Sequence, residues 1–278
     1  MSSTAAVKDY GVQSYLPDMG KRTLVMGILN FTPDSFSDGG RYFDTDKALD
    51  HAREMVELGA DIIDIGAEST RPGHTPLSAI EEWHRLEPIL ARLRETVSVP
   101  ISIDTYKSSV AQKALDYGAD MINDVWGGRF DAEMFKVLAK YQAPYILMHN
   151  ATDRQCIEGD IITAVMEELL YQANLAMEAG LKRECIILDP GVGFGKTVEQ
   201  NLQLINRVDV FRETGYPVLI GTSRKSVIGH VLGLPVDKRV EGTAATVAVA
   251  ITRGVDIVRV HDVKEIIRIT KMTDAVVR

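Results

Sequence analysis

One segment recurs three times with variations, and it constrains the fold more than any other feature of the chain. The three copies are LGADIIDIG (58–66), YGADMINDV (117–125) and RGVDIVRVH (253–261). Each reads as a helix-ending glycine, a two-residue loop and a strand, which is the connection expected in a repeating helix–strand unit. No linker-like or low-complexity stretch interrupts the series, so the sequence predicts a single domain.

Short apolar runs rich in Ile, Val and Leu recur at even spacing, as buried parallel strands should. The eight runs span residues 23–30, 61–67, 100–105, 120–127, 144–150, 185–191, 217–223 and 256–262. Helical patterns lie between them. The chain is therefore predicted to be an α/β protein, a single (β/α)8 TIM barrel over residues 1–278, with a doubly wound open sheet as the alternative. Residues 1–22 are interpreted as a short N-terminal extension, forming a hairpin under the barrel.

Several helix boundaries carry their own signals. Gly59 should stop the first long helix, and Ser78 with Glu81 makes a capping box that opens the next. Pro88 should kink or split that second helix. A further helix is expected to open near Val263.

The overall composition narrows the classes of protein to consider. A hydrophobic content of 45% and a charged content of 25% describe a soluble globular protein. The formal net charge of −8 argues against a general nucleic-acid binder, which would carry a basic face. The start, MSSTAAVKDYG, lacks the regions of a signal peptide, and no apolar stretch approaches membrane-spanning length. We expect a cytoplasmic protein with no nucleic-acid or membrane partner.

Polar side chains finish every predicted strand. In strand order they are Asn30, Glu68, Asp104, Asn123, His149 with Asn150, Asp189, Ser223, and Arg259 with His261. In TIM barrels the chemistry lies at the carboxyl ends of the strands. One or two polar ends would be chance, but eight on one face predict a lined pocket.

The last two strands supply positive charge. Arg259 and His261 alternate on one strand face beside a helix start, so they are predicted to point together into the mouth and bind an anion. An ion pair between Arg259 and a neighbouring acid is the alternative. In GTSRKS (221–226), Lys225 is predicted to face inward and Arg224 to face solvent.

The loop DPGVGFGKT (189–197) looks like a phosphate loop but does not match one. Pro190 stands where GxxxxGK[ST] needs a glycine, and Lys196 occupies the last glycine position of GxGxxG. We interpret it as a glycine-permitted loop that lets Asp189 and Phe194 face a ligand.

Asp104, Asn123 and Asp189 end three strands and should be partly buried, where an unpaired carboxylate is costly. A ligand edge with adjacent N–H donors, such as a 2-amino-pyrimidinone, would satisfy a carboxylate through two parallel hydrogen bonds. Internal salt bridges to Lys225 or Arg259 are the alternative, and they would hold the site preformed.

Taken together, the motifs NFTPDSFSDGG, ESTRPG, SIDTYK, INDV, MHN, DPGVGFGKT, GTSRKS and RVHDV resemble the dihydropteroate synthase family, in that family's order over residues 23 to 264. Two departures are visible. Ala67 replaces the usual second glycine before ESTRPG, and Val227 replaces the usual aromatic residue after GTSRKS. Both are expected to be steric changes near the site that affect inhibitor fit without removing a reacting group.

The resemblance implies that 7,8-dihydropterin-6-ylmethyl diphosphate and 4-aminobenzoate give 7,8-dihydropteroate and diphosphate, with diphosphate departing before the amine attacks. The catalytic residues it implies are Asp104, Lys225 and Asn30. The implied pterin ligands are Asp104, Asn123, Met148, Asp189 and Lys225. The implied diphosphate ligands are Asn30, Thr70, Arg259 and His261. The implied aminobenzoate contacts are Thr70, Arg71, Pro72, Phe194, Lys225 and Ser226.

The resemblance also implies Mg²⁺ as cofactor, held by Asn30 and bridging the diphosphate oxygens. The substrates are small molecules. A homodimer is implied near the segment EGTAATVAVAITRG (241–254), whose many small residues suit close helix packing.

The segment LNFTPDSFSDGG (29–40) follows the first strand and faces the predicted anion site, so we interpret it as a flap rather than an ordinary turn. Asn30 would be its fixed part, and the paired glycines at its end would permit motion. The moving residues would be Asp34, Phe36 and Ser37.

Two other functions remain open. A pterin-binding barrel that passes a methyl group from methyltetrahydrofolate to a corrinoid would share the Asp and Asn contacts. It would need no diphosphate site, so RVH, GTSRKS and the 30–40 loop argue against it. A barrel that has lost catalysis and serves only in binding or assembly is disfavoured by the eight polar strand ends.

Overall fold

Eight short parallel strands alternate with helices in the computed structural model, which describes residues 11–31, 41–68, 75–153, 157 and 159–278. The strands are β1 (Leu24–Asn30), β2 (Ile62–Gly66), β3 (Ile101–Asp104), β4 (Met121–Asp124), β5 (Tyr145–Met148), β6 (Ile186–Asp189), β7 (Leu219–Ile220) and β8 (Ile257–Val260). Each lies within one of the eight predicted runs. The apolar spacing alone therefore located all eight.

The strand order shows that the sheet is a barrel. Neighbours run β6-β5-β4-β3-β2-β1-β8-β7, and a parallel bridge between Leu188 and Val218 joins the two edges of that series. Sequential strands are adjacent all the way round, whereas a doubly wound sheet reverses its order at a switch point. The (β/α)8 TIM barrel is confirmed and the open-sheet alternative is wrong.

Eleven α-helices lie in the described part of the chain. They are α1 (Val12–Tyr15), α2 (Arg41–Leu58), α3 (Ala79–Thr96), α4 (Ser108–Asp116), α5 (Met134–Tyr141), α6 (Ile161–Glu178), α7 (Val198–Asn206), α8 (Asp209–Arg212), α9 (Ser226–Leu232), α10 (Val240–Thr252) and α11 (Val263–Val277). Within the residues described, none is long and apolar enough to cross a membrane.

The sequence signals placed most helix ends correctly. Gly59, with φ of +108°, follows α2, and Ser78 with Glu81 forms the predicted capping box of α3. The expected split at Pro88 does not occur, because α3 continues through it to Thr96. The helix tolerates the lost hydrogen bond because its inner face, with Leu86 among its residues, is buried in the core.

The threefold repeat has a structural explanation at the closed end of the barrel. The aspartate two residues after each repeat glycine accepts the backbone N–H of a neighbouring strand and pairs with an arginine. The strand contacts are Asp61 with Val25 (2.8 Å), Asp120 with Ile101 (2.8 Å) and Asp256 with Val218 (2.9 Å). The arginine partners are Arg22, Arg94 and Arg212. The repeat therefore fixes strand starts, at the end opposite the predicted pocket.

The segment before β1 packs under the barrel. Val12, Leu16 and Met19 form one apolar cluster with inward-facing strand residues such as Met26 and Ile146. Residues 12–15 form one helical turn rather than a strand of the expected hairpin. For residues 1–10, which lie outside the described part, the hairpin stays a prediction.

Strand alternation separates two layers. On β3, Ile101 and Ile103 belong to the core between strands and helices. Ser102 and Asp104 therefore face the barrel interior. The same alternation on β2, β4 and β8 directs Asp64, Asn123 and Arg259 inward.

Candidate active site

A cluster of four side chains from four strands lies inside the barrel near the carboxyl ends. Arg259 Nε donates to Asp64 Oδ2 at 2.6 Å, and its Nη2 donates to Asp104 Oδ2 at 2.8 Å. Asn123 Nδ2 donates to the same Asp64 oxygen at 3.1 Å. The guanidinium thus lies between two carboxylates, and Asp64 orients both Arg259 and Asn123.

This cluster corrects part of the sequence interpretation. The ion pair of Arg259 with a neighbouring acid, weighed as the alternative, is what the structure contains. His261 does not accompany Arg259: its Nδ1 lies 3.0 Å from Ser223 Oγ, which also accepts the His261 backbone N–H at 3.1 Å. The prediction that Arg259 and His261 point together is wrong, because one reaches across the barrel and the other stays at its rim.

Burial and neighbouring charges set the protonation of the cluster. Burial raises the pKa of Asp104 to about 7; the Arg259 guanidinium opposes this rise, and the Asp64 carboxylate adds to it. For Arg259 burial lowers the pKa, but Asp64 and Asp104 outweigh it and leave the pKa raised. Asp104 therefore changes charge near neutral pH, while Arg259 stays cationic.

Lys225, just before α9, faces the mouth as predicted. Its ammonium donates to the Val192 carbonyl and lies 4.8 Å from the centre of the Phe194 ring. Burial lowers the pKa of Lys225 to about 8, and the Asp189 carboxylate opposes this shift. Arg224 turns away from the mouth, and its partly exposed side chain pairs with the largely buried Asp262 carboxylate.

The loop after β6 depends on its glycines. Gly191, Gly193 and Gly195 all have positive φ, between +68° and +87°. A Cβ on Gly191 would lie 1.8 Å from the His149 carbonyl oxygen, and one on Gly195 would lie 2.2–2.3 Å from the Ala151 carbonyl group. The interpretation of this segment as a glycine-permitted loop is therefore confirmed.

Lys196 braces this loop from within. Its ammonium donates to the carbonyls of Gly191 (2.7 Å), Phe194 (3.0 Å) and His149 (3.3 Å). In a phosphate loop the lysine ammonium would contact the phosphates of a nucleotide. Here the Lys196 ammonium donates to three backbone carbonyls instead. Asp189, at the start of the loop, accepts the Gly191 N–H at 2.7 Å, and burial raises its pKa.

An apolar wall completes the mouth. Tyr106, Val125 and Met148 form a buried cluster, with Trp126 and Phe194 packed against it. Met148 and Phe194, assigned to different substrates by the sequence resemblance, thus belong to one continuous surface. A flat aromatic ligand would find the cationic Lys225 ammonium and this wall side by side.

Not every polar strand end reaches the pocket. The Glu68 side chain is buried and accepts bonds of 2.5 Å from both the Tyr106 hydroxyl and the Lys107 ammonium. Asn150 donates to the Val125 carbonyl at 3.0 Å and accepts from Thr152. These two residues support loops, so the expectation that all eight strand ends line one pocket is wrong for them.

The two departures from the family pattern lie elsewhere than expected. Ala67 and Val227 are both buried in the core between strands and helices. They pack against that core rather than facing the mouth, and their effect on inhibitor fit stays a prediction.

Several predicted residues stand at the rim or outside the described residues. Asn30 is exposed at the end of β1 and lines a groove of about 440 Å³ together with His261. Ser226 is the exposed first residue of α9. Outside the described residues are Asp34, Phe36, Ser37, Thr70, Arg71 and Pro72.

Sequence reasoning missed one member of the central cluster. Asp64 is fully buried, yet the sequence interpretation gave it no role. Its signal was its place two residues before Gly66 on the inward face. A Cβ on Gly66 would lie 3.3 Å from Asp104 Cβ, so that glycine leaves room for the catalytic candidate.

The described residues contain no group of three or more His, Cys, Asp or Glu side chains that could hold a metal ion. Mg²⁺ needs no such group, since it is often held by one or two protein oxygens together with substrate phosphates. The exposed amide of Asn30 offers an oxygen of this kind beside the groove. The residues present therefore fit Mg²⁺ only as part of a metal–diphosphate complex.

Comparison with known proteins gives a consistent result. The pterin-binding enzyme family matches residues 26–261. A dihydropteroate synthase from Clostridium beijerinckii is 52% identical over 94% of this chain and 97% of its own length.

Solved structures agree. The dihydropteroate synthase of Clostridium difficile, crystallised in the presence of pteroic acid, is 51% identical, with a TM-score of 0.91 over 94% of this chain and 99% of that one. The enzyme from Xanthomonas albilineans, in complex with 7,8-dihydropteroate, is 36% identical, with a TM-score of 0.85 over 92% and 94% of the two chains. The chain therefore belongs to the dihydropteroate synthase family of pterin-binding enzymes.

Proposed function

We propose that this chain condenses 7,8-dihydropterin-6-ylmethyl diphosphate with 4-aminobenzoate to give 7,8-dihydropteroate and diphosphate. The observation that carries the proposal is the cluster of Asp104, Asn123 and Arg259 beside Lys225, at the mouth of a barrel of this family. The Xanthomonas albilineans relative, whose structure contains the corresponding product, supports the same chemistry. The proposal is tested by incubating the protein with both substrates and Mg²⁺ and identifying 7,8-dihydropteroate by mass spectrometry. A folded sample that forms none would contradict it.

The pterin ring would lie among the inward polar groups. Asn123 already gives its N–H to Asp64, so its carbonyl oxygen is the group left to accept an N–H of the ring. Asp189, at the end of β6, can accept the paired donors of the 2-amino-pyrimidinone edge. Lys225 can donate to a ring acceptor, and Met148 would pack on the ring face.

The diphosphate would lie at the rim, where Asn30 and His261 line one groove and α11 begins just beyond. The start of a helix favours an anion because its backbone N–H groups point outward. Arg259 would add charge from the barrel side. Mg²⁺, held by Asn30 and the diphosphate itself, would supply positive charge that stabilises the leaving anion.

The reacting carbon would lose diphosphate before the amine attacks. The C–O bond breaks with its electron pair on diphosphate, and the dihydropterin delocalises the positive charge left on the methylene carbon. The Asp104 carboxylate would stabilise that charge at close range inside the barrel. The amine nitrogen then forms the new C–N bond and releases a proton to solvent. An arylamine is neutral at physiological pH, so no strong base is needed.

Aminobenzoate would approach along the apolar wall. Phe194 lies beside the Lys225 ammonium, and Ser226, the next residue along the chain, is exposed. Contacts from Thr70, Arg71 and Pro72 remain a prediction from the family resemblance. So does the flap role of Asp34, Phe36 and Ser37.

The adjacent bases Lys225 and Arg224 give a matched pair of variants. Lys225→Ala is expected to weaken pterin binding roughly tenfold or more, since it removes a donor from the mouth. Arg224→Ala is expected to weaken it much less, because that side chain pairs with Asp262 in the rim groove rather than in the barrel mouth. Isothermal titration calorimetry with a dihydropterin that lacks the diphosphate measures both, so that contacts of Arg224 with the diphosphate do not enter the comparison. Equal losses would contradict the inward role of Lys225.

The pH dependence of kcat/KM for the pterin substrate is expected to be bell-shaped. Activity should rise with pH through about 7, as Asp104 loses its proton, and fall above about 8, as Lys225 loses its own. The Lys225→Met variant should lose the alkaline limb and keep the acid limb. A profile that stays flat across both pKa values would contradict the roles given to these two groups.

We also propose that the protein acts in the cytoplasm as a homodimer. Support comes from exposed apolar side chains on neighbouring helices, Val249 of α10 with Met272 and Val276 of α11. Sedimentation equilibrium of the wild type and of Val249→Asp tests this proposal. A wild type that remains monomeric at micromolar concentration would contradict it.

A further inference from the structure

The segment that begins α10 holds the backbone of the loop that carries Lys225. Arg239, the residue before α10, donates from Nη1 to the carbonyl oxygens of Arg224 (2.9 Å) and Lys225 (3.4 Å). Its Nε donates to the Leu234 carbonyl at 3.0 Å. One guanidinium therefore ties the loop between β7 and α9 to the segment that leads into α10.

Thr243, in the first turn of α10, holds the same loop by another group. Its buried hydroxyl accepts the Arg224 backbone N–H at 3.1 Å and donates to the Arg239 carbonyl at 3.0 Å. One turn further, the Thr246 hydroxyl donates to the Thr222 hydroxyl at 2.9 Å. Both backbone polar groups of Arg224 are thus bonded to the start of α10.

These bonds hold an uncommon backbone conformation. Arg224 has φ of +57°, in the left-handed region of backbone conformations. Non-glycine residues rarely adopt this conformation, and they keep it only where several surrounding contacts hold the backbone in place. Lys225 follows at once in an extended conformation and sends its ammonium to Val192 and Phe194. A relaxation at Arg224 would change the direction in which the Lys225 side chain leaves the backbone.

The Arg239 guanidinium occupies a space that only a glycine on α9 leaves open. Gly229 on α9 lies directly beneath, and a Cβ there would be only 2.1–2.6 Å from three guanidinium atoms. A different arginine, Arg253 just after α10, offers a comparison: it is exposed and donates to Asn206 at 3.1 Å on the surface.

We propose that Arg239 and Thr243 are positioning residues for the pterin substrate, acting through the backbone of Arg224 and Lys225 to set where the Lys225 ammonium enters the mouth. The inference rests on the proposed function in one respect, that Lys225 is a pterin ligand. Because they act through Lys225, these residues are not catalytic themselves.

The test uses Arg239→Gln and Thr243→Val in the full-length protein, with two readouts. The first is the pKa of Lys225 without substrate, followed by NMR in protein with isotope-labelled lysine. It should rise from about 8 toward the ordinary lysine value, since release of the loop relaxes the burial that lowers it. The second is calorimetric affinity for the dihydropterin diphosphate, expected to fall roughly tenfold. Arg239→Lys should recover part of both, because an ammonium can still reach the loop carbonyls.

Arg253→Gln is the matched control and should leave both readouts at wild-type values. A folded Arg239→Gln protein with unchanged Lys225 titration and unchanged affinity would overturn the proposal, as would equal losses in the control. If Arg239→Gln fails to fold, Thr243→Val carries the test, since it replaces a hydroxyl by a methyl of similar size. A wild type that fails to bind the pterin would contradict the proposed function, and the titration would then decide the positioning role alone.

Discussion

Asp104→Asn is expected to lower kcat/KM for the pterin substrate by a factor on the order of 10³, with a smaller effect on substrate affinity. The substitution keeps the shape of the side chain and removes the charge that would stabilise the developing methylene cation. In the wild type Arg259 Nη2 donates to Asp104 Oδ2 at 2.8 Å. The amide can accept this bond only when its oxygen faces Arg259, because in the other orientation its NH2 group would oppose the guanidinium. Steady-state kinetics with varied pterin substrate measures the loss.

Asp120→Asn is the matched control for this result. Asp120 directly precedes β4 and accepts the N–H of Ile101, the first residue of β3, at the closed end of the barrel. Its replacement should lower the unfolding midpoint while leaving kcat/KM in the folded protein near the wild-type value. A loss of only a few-fold in Asp104→Asn, or comparable losses in both variants, would contradict the role given to Asp104.

Arg259→Met is expected to cost about 3–5 kcal/mol of unfolding free energy at pH 8, because it leaves two buried carboxylates without their shared cation. Asp64 is fully buried and Asp104 nearly so, so neither can regain full hydration in the folded protein. Arg92→Met, which breaks a solvent-exposed pair with Asp46, should have little effect. Urea denaturation of both variants measures the difference.

The destabilisation should also depend on pH, in a direction fixed by Asp104. Its pKa in the folded wild type is already raised to about 7, and removing Arg259 takes away the opposing influence. A carboxyl whose folded pKa lies above its unfolded pKa binds its proton more tightly when folded, so stability increases as pH falls through the folded value. The cost of Arg259→Met should therefore shrink between pH 8 and about pH 5.5. A small or pH-independent cost would contradict the buried ion pair.

Much of the fold could be predicted because buried parallel strands appear in the sequence as short runs of apolar residues. Short apolar runs, the repeat glycines and the Ser78–Glu81 capping box are local signals, and each located its element. The split of α3 at Pro88 was predicted wrongly, because the rule considers only the local sequence and the inner face of this helix is buried in the core. In such cases tertiary packing outweighs the low intrinsic helix propensity of proline.

The site was predictable in its location but not in its pairings. Alternation on β8 showed that Arg259 faces inward, but it gives no distance across the barrel. The long guanidinium side chain reaches Asp64 on β2 and Asp104 on β3, which no local pattern encodes. For the same reason, Glu68 was recognised as polar but not as the partner of Lys107 on the next loop.

The support that α10 gives to the Lys225 loop could not be read from the sequence. Arg239 and Thr243 contact residues about 15 and 19 positions earlier, through backbone groups that carry no sequence signature. Only the positive φ of Arg224 marks the place, and a conformation at a non-glycine residue is visible only in a structure.

The central claim is that this barrel mouth exchanges diphosphate for an arylamine on a dihydropterin. Its most direct test is diphosphate release by the folded wild type with the pterin substrate and Mg²⁺, with and without 4-aminobenzoate, beside Asp104→Asn. With aminobenzoate present, we expect sustained release in equal amounts with dihydropteroate, and release reduced on the order of 10³-fold in the variant. No release by wild type with both substrates present, or equal release by wild type and variant, would contradict the account.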